Sequence, residues 1–356
     1  MKGAADRVRD EIRALAAYHV APAAGLVKLD AMENPYRLGP AVAEELGRHL
    51  AGVAINRYPD PQAPRLKALL REAMAIPDGL DMVLGNGSDE ILQMIAVVLA
   101  KPGATMLALE PSFAMYRMSA ISAGMGYAGI DLSPDFSLDL PAMLAAIDRL
   151  RPALVWIAYP NNPTGNLFER QAVIEIVKAS TGLVVVDEAY YPFSGGATLL
   201  GEVGRHPNLV LVRTVSKLGL AGLRLGLVVG PRDWLGEVEK VRLPYNVNVL
   251  TAAAAEFILE RREVLEEQTR AIVRDRGILE SGLDAIAGIR RYPSAANFVL
   301  VRVPDGPRAF ESLKSRGILV RSFHGSHPLL AHCLRLTVGT PDENASLLAA
   351  LAQATG

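Results

Sequence analysis

Three short apolar runs, each ending in a polar cluster, constrain this chain more than any other feature. Leu154 to Ala158, Leu183 to Val186 and Leu209 to Val212 are rich in β-branched residues and too short to be buried helices. The first stops at Tyr159-Pro160-Asn161-Asn162-Pro163-Thr164-Gly165, the second at Asp187-Glu188-Ala189-Tyr190-Tyr191, and the third at Arg213-Thr214-Val215-Ser216-Lys217. From Asn162 to Asp187 to Lys217 the intervals are roughly 25 to 30 residues, near the length of a βαβ unit. Thr105 to Leu109 and Leu225 to Val229 read as further strands, and Phe168 to Ala179 as an intervening helix. Apolar strands alternating with helices predict an α/β fold, a mostly parallel sheet covered on both faces. Ligands of such sheets bind beyond the carboxyl ends of the strands. Asn162, Asp187 and Lys217 are therefore expected to converge on one crevice.

Flanking segments read differently. Val8, Ile12, Leu15 and Ala16 have helical spacing and predict a short amphipathic arm helix. Leu29 to Tyr36 is turn-rich, Arg57-Tyr58-Pro59-Asp60-Pro61 is a stiff exposed loop, and Pro64 to Ala75 is a helix. A long helical pattern from about Leu250 to Ile286 leaves the strand-rich region and bridges to a smaller α+β unit. In that unit Phe298 to Val303, Ile318 to Val320 and Leu334 to Val338 read as strands, with helices at Ala309 to Ser315 and Glu343 to Ala354. The expected organisation is an arm (1–30), a large domain (31–275) and a small C-terminal domain (276–356) packed with the arm, in keeping with the usual domain-size range.

Bulk properties exclude several classes of function. A formal net charge of -1 gives no electrostatic attraction to nucleic acid. The single cysteine, Cys333, allows neither an intramolecular disulfide nor a CxxC metal cage, as suits a reducing cytosol. Met1 to Arg13 carries both signs of charge and lacks the apolar core of a signal peptide. The longest apolar stretches fall short of the ~20 residues of a membrane span. The six histidines form no HExxH or other metal spacing. A cytoplasmic protein without metal is expected.

Lys217 stands at the mouth of an apolar core, where a charged amine is costly. Either it snorkels to solvent, or it is neutralised chemically, for instance by condensing with a cofactor aldehyde. Asp187, held behind an apolar strand, suits a protonated ring nitrogen. Tyr190 can reach a phenolate oxygen on the same ring, and Phe113 can stack on its face. Gly85-Asn86-Gly87-Ser88-Asp89-Glu90 runs into the apolar helix Ile91 to Leu99, with Ser88 expected at the N-cap. This is either an ordinary capped helix or a phosphate cradle, and the missing third glycine rules out a dinucleotide fingerprint. The Gly87 backbone, Ser88, Ser216 and Arg224 can surround one phosphate. By residue type these are the parts of a pyridoxal phosphate site.

The whole set of motifs, in this order, resembles the fold type I pyridoxal-phosphate-dependent aminotransferases. It comprises Glu33-Asn34-Pro35-Tyr36, Arg57-Tyr58-Pro59-Asp60, Gly85 to Glu90, Asn161 to Gly165, Asp187 to Tyr190, Ser216-Lys217, Pro244-Tyr245-Asn246-Val247-Asn248 and Leu334 to Thr340. More narrowly it is similar to the histidinol-phosphate aminotransferase subfamily. The resemblance implies Lys217 as the Schiff-base lysine, Asp187 at the pyridine nitrogen, Asn162 and Tyr190 at the ring oxygen, and Phe113 stacked on the ring. It further implies Gly87, Ser88, Thr214, Ser216 and Arg224 around the cofactor, with Tyr58 reaching the phosphate from the neighbouring subunit of a homodimer. Tyr18, Asn34, Asn162, Arg321 and Arg335 would bind substrate, a phosphorylated amine or 2-oxoglutarate. Two positions depart from the pattern: Lys217 to Arg224 is one residue shorter than usual, and Phe113 replaces the commoner tyrosine.

Two guanidinium groups, at Arg335 and Arg321, suit a phosphate dianion better than a lone carboxylate requires. Arg321 also admits the plainer role of a surface ion pair. An aromatic amino-acid aminotransferase or a threonine-phosphate decarboxylase would use the same cage, since the bond that breaks is the one held perpendicular to the ring. A non-enzymatic regulatory domain is disfavoured by the intact Lys217 and the near-zero charge.

Overall fold

The structure is a computed structural model describing residues 3, 6–17 and 21–355. Its strands are β1 (Val27–Leu29), β2 (Asp81–Asn86), β3 (Thr105–Glu110), β4 (Gly126–Asp131), β5 (Leu154–Ala158), β6 (Leu183–Asp187), β7 (Leu209–Thr214), β8 (Leu225–Gly230), β9 (Arg290–Arg291), β10 (Phe298–Arg302), β11 (Ile318–Ser322) and β12 (Cys333–Thr337). They build a seven-stranded sheet, ordered β2-β8-β7-β6-β5-β3-β4, and a five-stranded sheet, ordered β1-β11-β12-β10-β9. In the larger sheet β4, β3, β5, β6 and β7 run parallel. Only β8 and β2 introduce antiparallel pairs. The fold is α/β as expected, with a mostly parallel sheet flanked by helices.

Every residue of β5 and β6 is buried, and the period-2 alternation of a strand divides them between two cores. Val155, Ile157, Val184, Val186 and Leu211 pack with Val173 and Ile176 of the helix Arg170–Ala179 on one face. Leu154, Trp156, Val185, Val210 and Val212 pack with Ile91 and Ile95 of Ser88–Leu99 and Tyr116 of Met115–Ala123 on the other. Each such burial stabilises by about 1.5–3 kcal/mol, so a one-residue slip of register would be heavily penalised. The smaller sheet packs Val299, Val301, Val320 and Leu336 against Ile272 and Leu279 of Glu263–Asp284 and Leu347 of Pro341–Thr355. Tyr190 and Phe193, just beyond β6, enter that cluster and join the two sheets.

Several local expectations are corrected. The arm helix is a single turn, Asp10–Arg13, with no buried residue; it touches the helix Met115–Ala123, where Arg9 at its N-cap donates to the Ser122 carbonyl at 2.8 Å, but buries too little to offset the nucleation cost of a longer helix. The turn-rich segment after it begins with a strand, since β1 pairs in parallel with β11. The long helix is two helices, Val249–Leu259 and Glu263–Asp284. At the break Glu260 pairs with Arg65 and Arg262 with Glu72, so both flanking residues are tied to the helix Pro64–Ala73. Ser88 is the first helical residue and Gly87 the cap, without a side-chain capping bond. β2, β4 and the helix Leu140–Leu150 are additional elements; β4 is a half-exposed edge strand whose Gly and Asp residues hide it from an apolar-run reading.

Candidate active site

Strand register brings the predicted residues together. Asp187 ends β6, directly opposite Ala158 of β5 and Val212 of β7. Asn162 follows β5, and Ser216 and Lys217 lie in a 3-10 turn immediately after β7. A cavity of about 100 Å³ is lined by Ser88, Phe113, Asn162, Asp187, Tyr190, Thr214, Ser216, Lys217 and Arg224, with Tyr116 beneath. The convergence at the carboxyl ends of the parallel strands is as expected.

At its floor Asp187 is buried, accepting from the Tyr116 hydroxyl at 2.9 Å and from the Ala189 N–H at 3.0 Å. Burial raises its carboxyl to about 6, against those two hydrogen bonds, which favour the anion. Lys217 Nζ donates to the Ala31 carbonyl at 3.3 Å and lies 5.8 Å from the Tyr190 ring centre. Desolvation, then the nearby Arg335 charge, lowers its ammonium to about 8. The pair is thus a lysine pushed toward neutrality beside a carboxylate whose charge must be actively maintained.

The end of the cavity at Ser88 and Arg224 is shaped by glycines. Gly87 has φ +82°, and a Cβ there would lie 2.5 Å from Arg224 Nη2, so the guanidinium occupies the room that a side chain would need. Behind the turn, a Cβ on Gly226 of β8 would meet the Ser88 backbone nitrogen at 2.5 Å. Arg224 pairs with Asp89 at 3.0 Å, an exposed and therefore weak and exchangeable pair. The shorter Lys217 to Arg224 connection is accommodated by Gly219 at φ +117° and Arg224 itself at φ +50°. Thr214 spends its hydroxyl locally, donating to the Leu225 carbonyl at 3.0 Å and accepting from the Ser216 N–H at 3.1 Å, with Ser216 Oγ 2.9 Å away, and so braces the lysine turn.

The other end belongs to the smaller sheet. Arg335 is buried on β12, and its two terminal nitrogens donate to Asn162 Oδ1 at 2.5 Å and the Asp30 carbonyl at 2.7 Å. Asn162 in turn donates to the Tyr190 hydroxyl at 3.2 Å. Arg321 of β11 is the cross-strand partner of Arg335, so both arginines stand side by side on one sheet face. Asn34 is engaged otherwise: its amide donates to the Leu218 carbonyl at 3.2 Å and to Gln268 at 2.8 Å, holding the back of the lysine turn. Tyr58 is 80% exposed and stacks on Tyr245 at 4.4 Å, outside the cavity. Tyr18 lies outside the described residues.

Residues 24–351 match the family model of aminotransferase class I and II. The chain belongs to that family. Its relatives include a histidinol-phosphate aminotransferase of Chromobacterium violaceum, 53% identical over 97% of this chain and 96% of the relative. Another, histidinol-phosphate aminotransferase 2 of Cupriavidus pinatubonensis, is 51% identical over 97% and 95%. Among solved structures, the Sinorhizobium meliloti histidinol-phosphate aminotransferase in complex with pyridoxal 5'-phosphate superposes with a TM-score of 0.87 at 27% identity, covering 98% of this chain and 97% of that one. The family is one of pyridoxal-phosphate-dependent transaminases, and this chain is an aminotransferase. Among the described residues no helix is long and apolar enough to cross a membrane, and no cluster of metal-ligating side chains occurs.

The residues present fit such a cofactor. A partly neutralised lysine, a buried carboxylate, an aromatic face at Phe113 and a glycine-bared cradle beside a guanidinium line one cavity. Two contributions were not foreseen from sequence. Tyr116, three residues after Phe113, lies on the helix Met115–Ala123 and is met edge-on by the Phe113 ring. The buried pair Arg213–Glu188, at 2.7 Å, clamps the ends of β7 and β6 next to Lys217 and Asp187. Each of these two lies directly beside a residue that the motif reading did pick out.

Proposed function

We propose that this aminotransferase moves the amino group between L-histidinol phosphate and 2-oxoglutarate, using pyridoxal 5'-phosphate, as a cytoplasmic homodimer. The observation that carries the reading is the placement of Lys217 and Asp187 in one cavity with Asn162, which accepts from Arg335, the cross-strand neighbour of Arg321. The subfamily of the relatives, about half identical over nearly the whole chain, supports the substrate.

Bound there, the cofactor supplies an aldehyde that captures the substrate amine and a protonated ring that accepts the electron pair of the broken C–H bond. Lys217, with its ammonium lowered to about 8, would act as general base at the substrate carbon that bears the amine. Asp187 holds the ring nitrogen protonated. Tyr190 and Asn162 hold the ring oxygen, Phe113 covers one ring face, and Ser88, Ser216, Arg224 and the Gly87 turn hold the phosphate. Arg335 and Arg321 together neutralise the substrate phosphate, or the carboxylate of the second substrate. Tyr58 completes the phosphate site of the partner subunit; its exposure here, beside exposed Ile55, Leu243 and Tyr245, supports an interface on that side. The division into an arm (1–30), a large domain (31–275) and a small domain (276–356) is supported by the two sheets, with β1 of the arm joined to the smaller one.

An absorbance scan of the purified protein tests this reading. Histidinol phosphate is expected to bleach the visible band of the bound cofactor, and 2-oxoglutarate to restore it with release of glutamate. A band that responds instead to phosphothreonine or to aromatic amino acids would replace the substrate assignment. Absence of any band would remove the cofactor.

A further inference from the structure

Tyr116 belongs to none of the motifs that mark this site, yet among the described residues it alone makes a side-chain hydrogen bond to Asp187. Its ring is completely buried, stacked on Trp156 at 5.1 Å and 9°, and met edge-on by Phe113 at 5.7 Å and 90°. A hydroxyl on a ring fixed in this way points to one place, here Asp187 Oδ2 at 2.9 Å. The Ala189 N–H takes the other oxygen at 3.0 Å. Both donors favour the carboxylate, while burial favours the neutral acid.

We propose that Tyr116 is a positioning residue that acts through Asp187, its hydroxyl keeping the carboxylate ionised and aimed at the cavity. The proposal's catalytic consequence rests on the cofactor reading above; the Tyr116–Asp187 coupling itself does not. The phenol does not ionise in competition with the carboxylate, because burial and then the Asp187 charge raise it well above its ordinary range. Among the described residues three charged or titratable side chains act on the carboxylate. Tyr116 comes from the helix Met115–Ala123, Asp89 from the helix Ser88–Leu99, and Lys217 follows β7; Tyr190, after β6, lines the same cavity. Asp89 opposes its charge and Lys217 supports it. Tyr116 is the only one of these with a direct side-chain hydrogen bond to it among the described residues.

Tyr116→Phe keeps the ring and removes the donor. In the cofactor-free full-length protein, Asp187 is followed by infrared difference spectra between each protein and its Asp187→Asn counterpart. The carboxyl midpoint is expected to rise by roughly one to two pH units, as befits a lost hydrogen bond to a charged group. Trp156→Phe, which leaves the hydroxyl but loosens the stack, should shift it less and in the same direction. In the loaded enzyme the acid limb of kcat/KM should move up with little change in KM. Tyr116→Phe should add no further loss on top of Asp187→Asn. An unmoved midpoint in both variants overturns the proposal, as does a loss that multiplies with that of Asp187→Asn. Failure of the cofactor reading looks different: no visible band forms, while the infrared shift persists.

Discussion

Gly87→Ala offers the sharpest test of the phosphate end. Gly87 sits at φ +82° and ψ 165°, a region that is nearly closed to other residues and costs them about 1–3 kcal/mol. The added Cβ would also lie 2.5 Å from Nη2 and 3.0 Å from Cζ of Arg224, so the guanidinium must leave its place. Losing one hydrogen bond to a charged group costs about 1.5–3 kcal/mol, or roughly 10- to 100-fold in affinity. Titrating the cofactor-free protein with pyridoxal 5'-phosphate, read by absorbance, measures that loss directly. Gly222→Ala, in the β7–β8 connection that carries Arg224, has nothing within 4 Å of its Cβ and is the control. If displacement of Arg224 is the cause, Arg224→Ala should cost little in the Gly87→Ala background. Affinity within about two-fold of the parent for Gly87→Ala would refute the cradle.

The remaining predictions concern charge and assembly. The Lys217 ammonium falls from 10.5 to about 8 on folding, so its contribution to stability is present above pH 10.5 and lost as pH falls through 8. Lys217→Met should therefore raise the melting temperature of cofactor-free protein below pH 8, with the gain fading toward pH 10.5; a gain independent of pH would contradict desolvation as the cause. Arg213→Met leaves Glu188 buried without its partner, and denaturant unfolding should show a loss of about 3–5 kcal/mol, partly recovered by Glu188→Met in the same chain. Inactive Tyr58→Ala and inactive Lys217→Ala subunits, unfolded and refolded together, should regain activity, because the mixed dimer holds one complete site. No recovery would place Tyr58 outside the partner's site.

The large sheet was legible because its strands are buried on both faces, so Val184 and Val185 are both apolar although they point opposite ways. The same logic failed for β4, where Gly126, Gly129 and Asp131 sit on a half-exposed edge and carry no apolar signature. The site residues that follow strands were legible through position alone, since Asn162, Asp187 and Lys217 share an end of the sheet. Arg335 was legible only through the motif around it, because what places it is a three-dimensional pairing with β11 and a bond to Asn162 across 173 residues. Tyr116 escaped because a buried tyrosine on an apolar helix face is indistinguishable from core until its hydroxyl partner is known. Asn34 shows the converse: a motif residue whose amide, in the folded chain, is spent on the lysine turn.

Asn162 shows why the two ends of the cavity cannot be tuned independently. Its amide nitrogen donates to Tyr190 and its oxygen accepts from Arg335, so both neighbours agree on one orientation of the side chain. Arg335 is anchored again at the Asp30 carbonyl, just past β1, which itself pairs with β11. A chain of contacts therefore runs from Tyr190, through the amide, to the smaller sheet and the N-terminal strand. Moving Arg335 toward a bulkier substrate would remove the donor that fixes Asn162 Oδ1, and with it the orientation in which the amide donates to Tyr190.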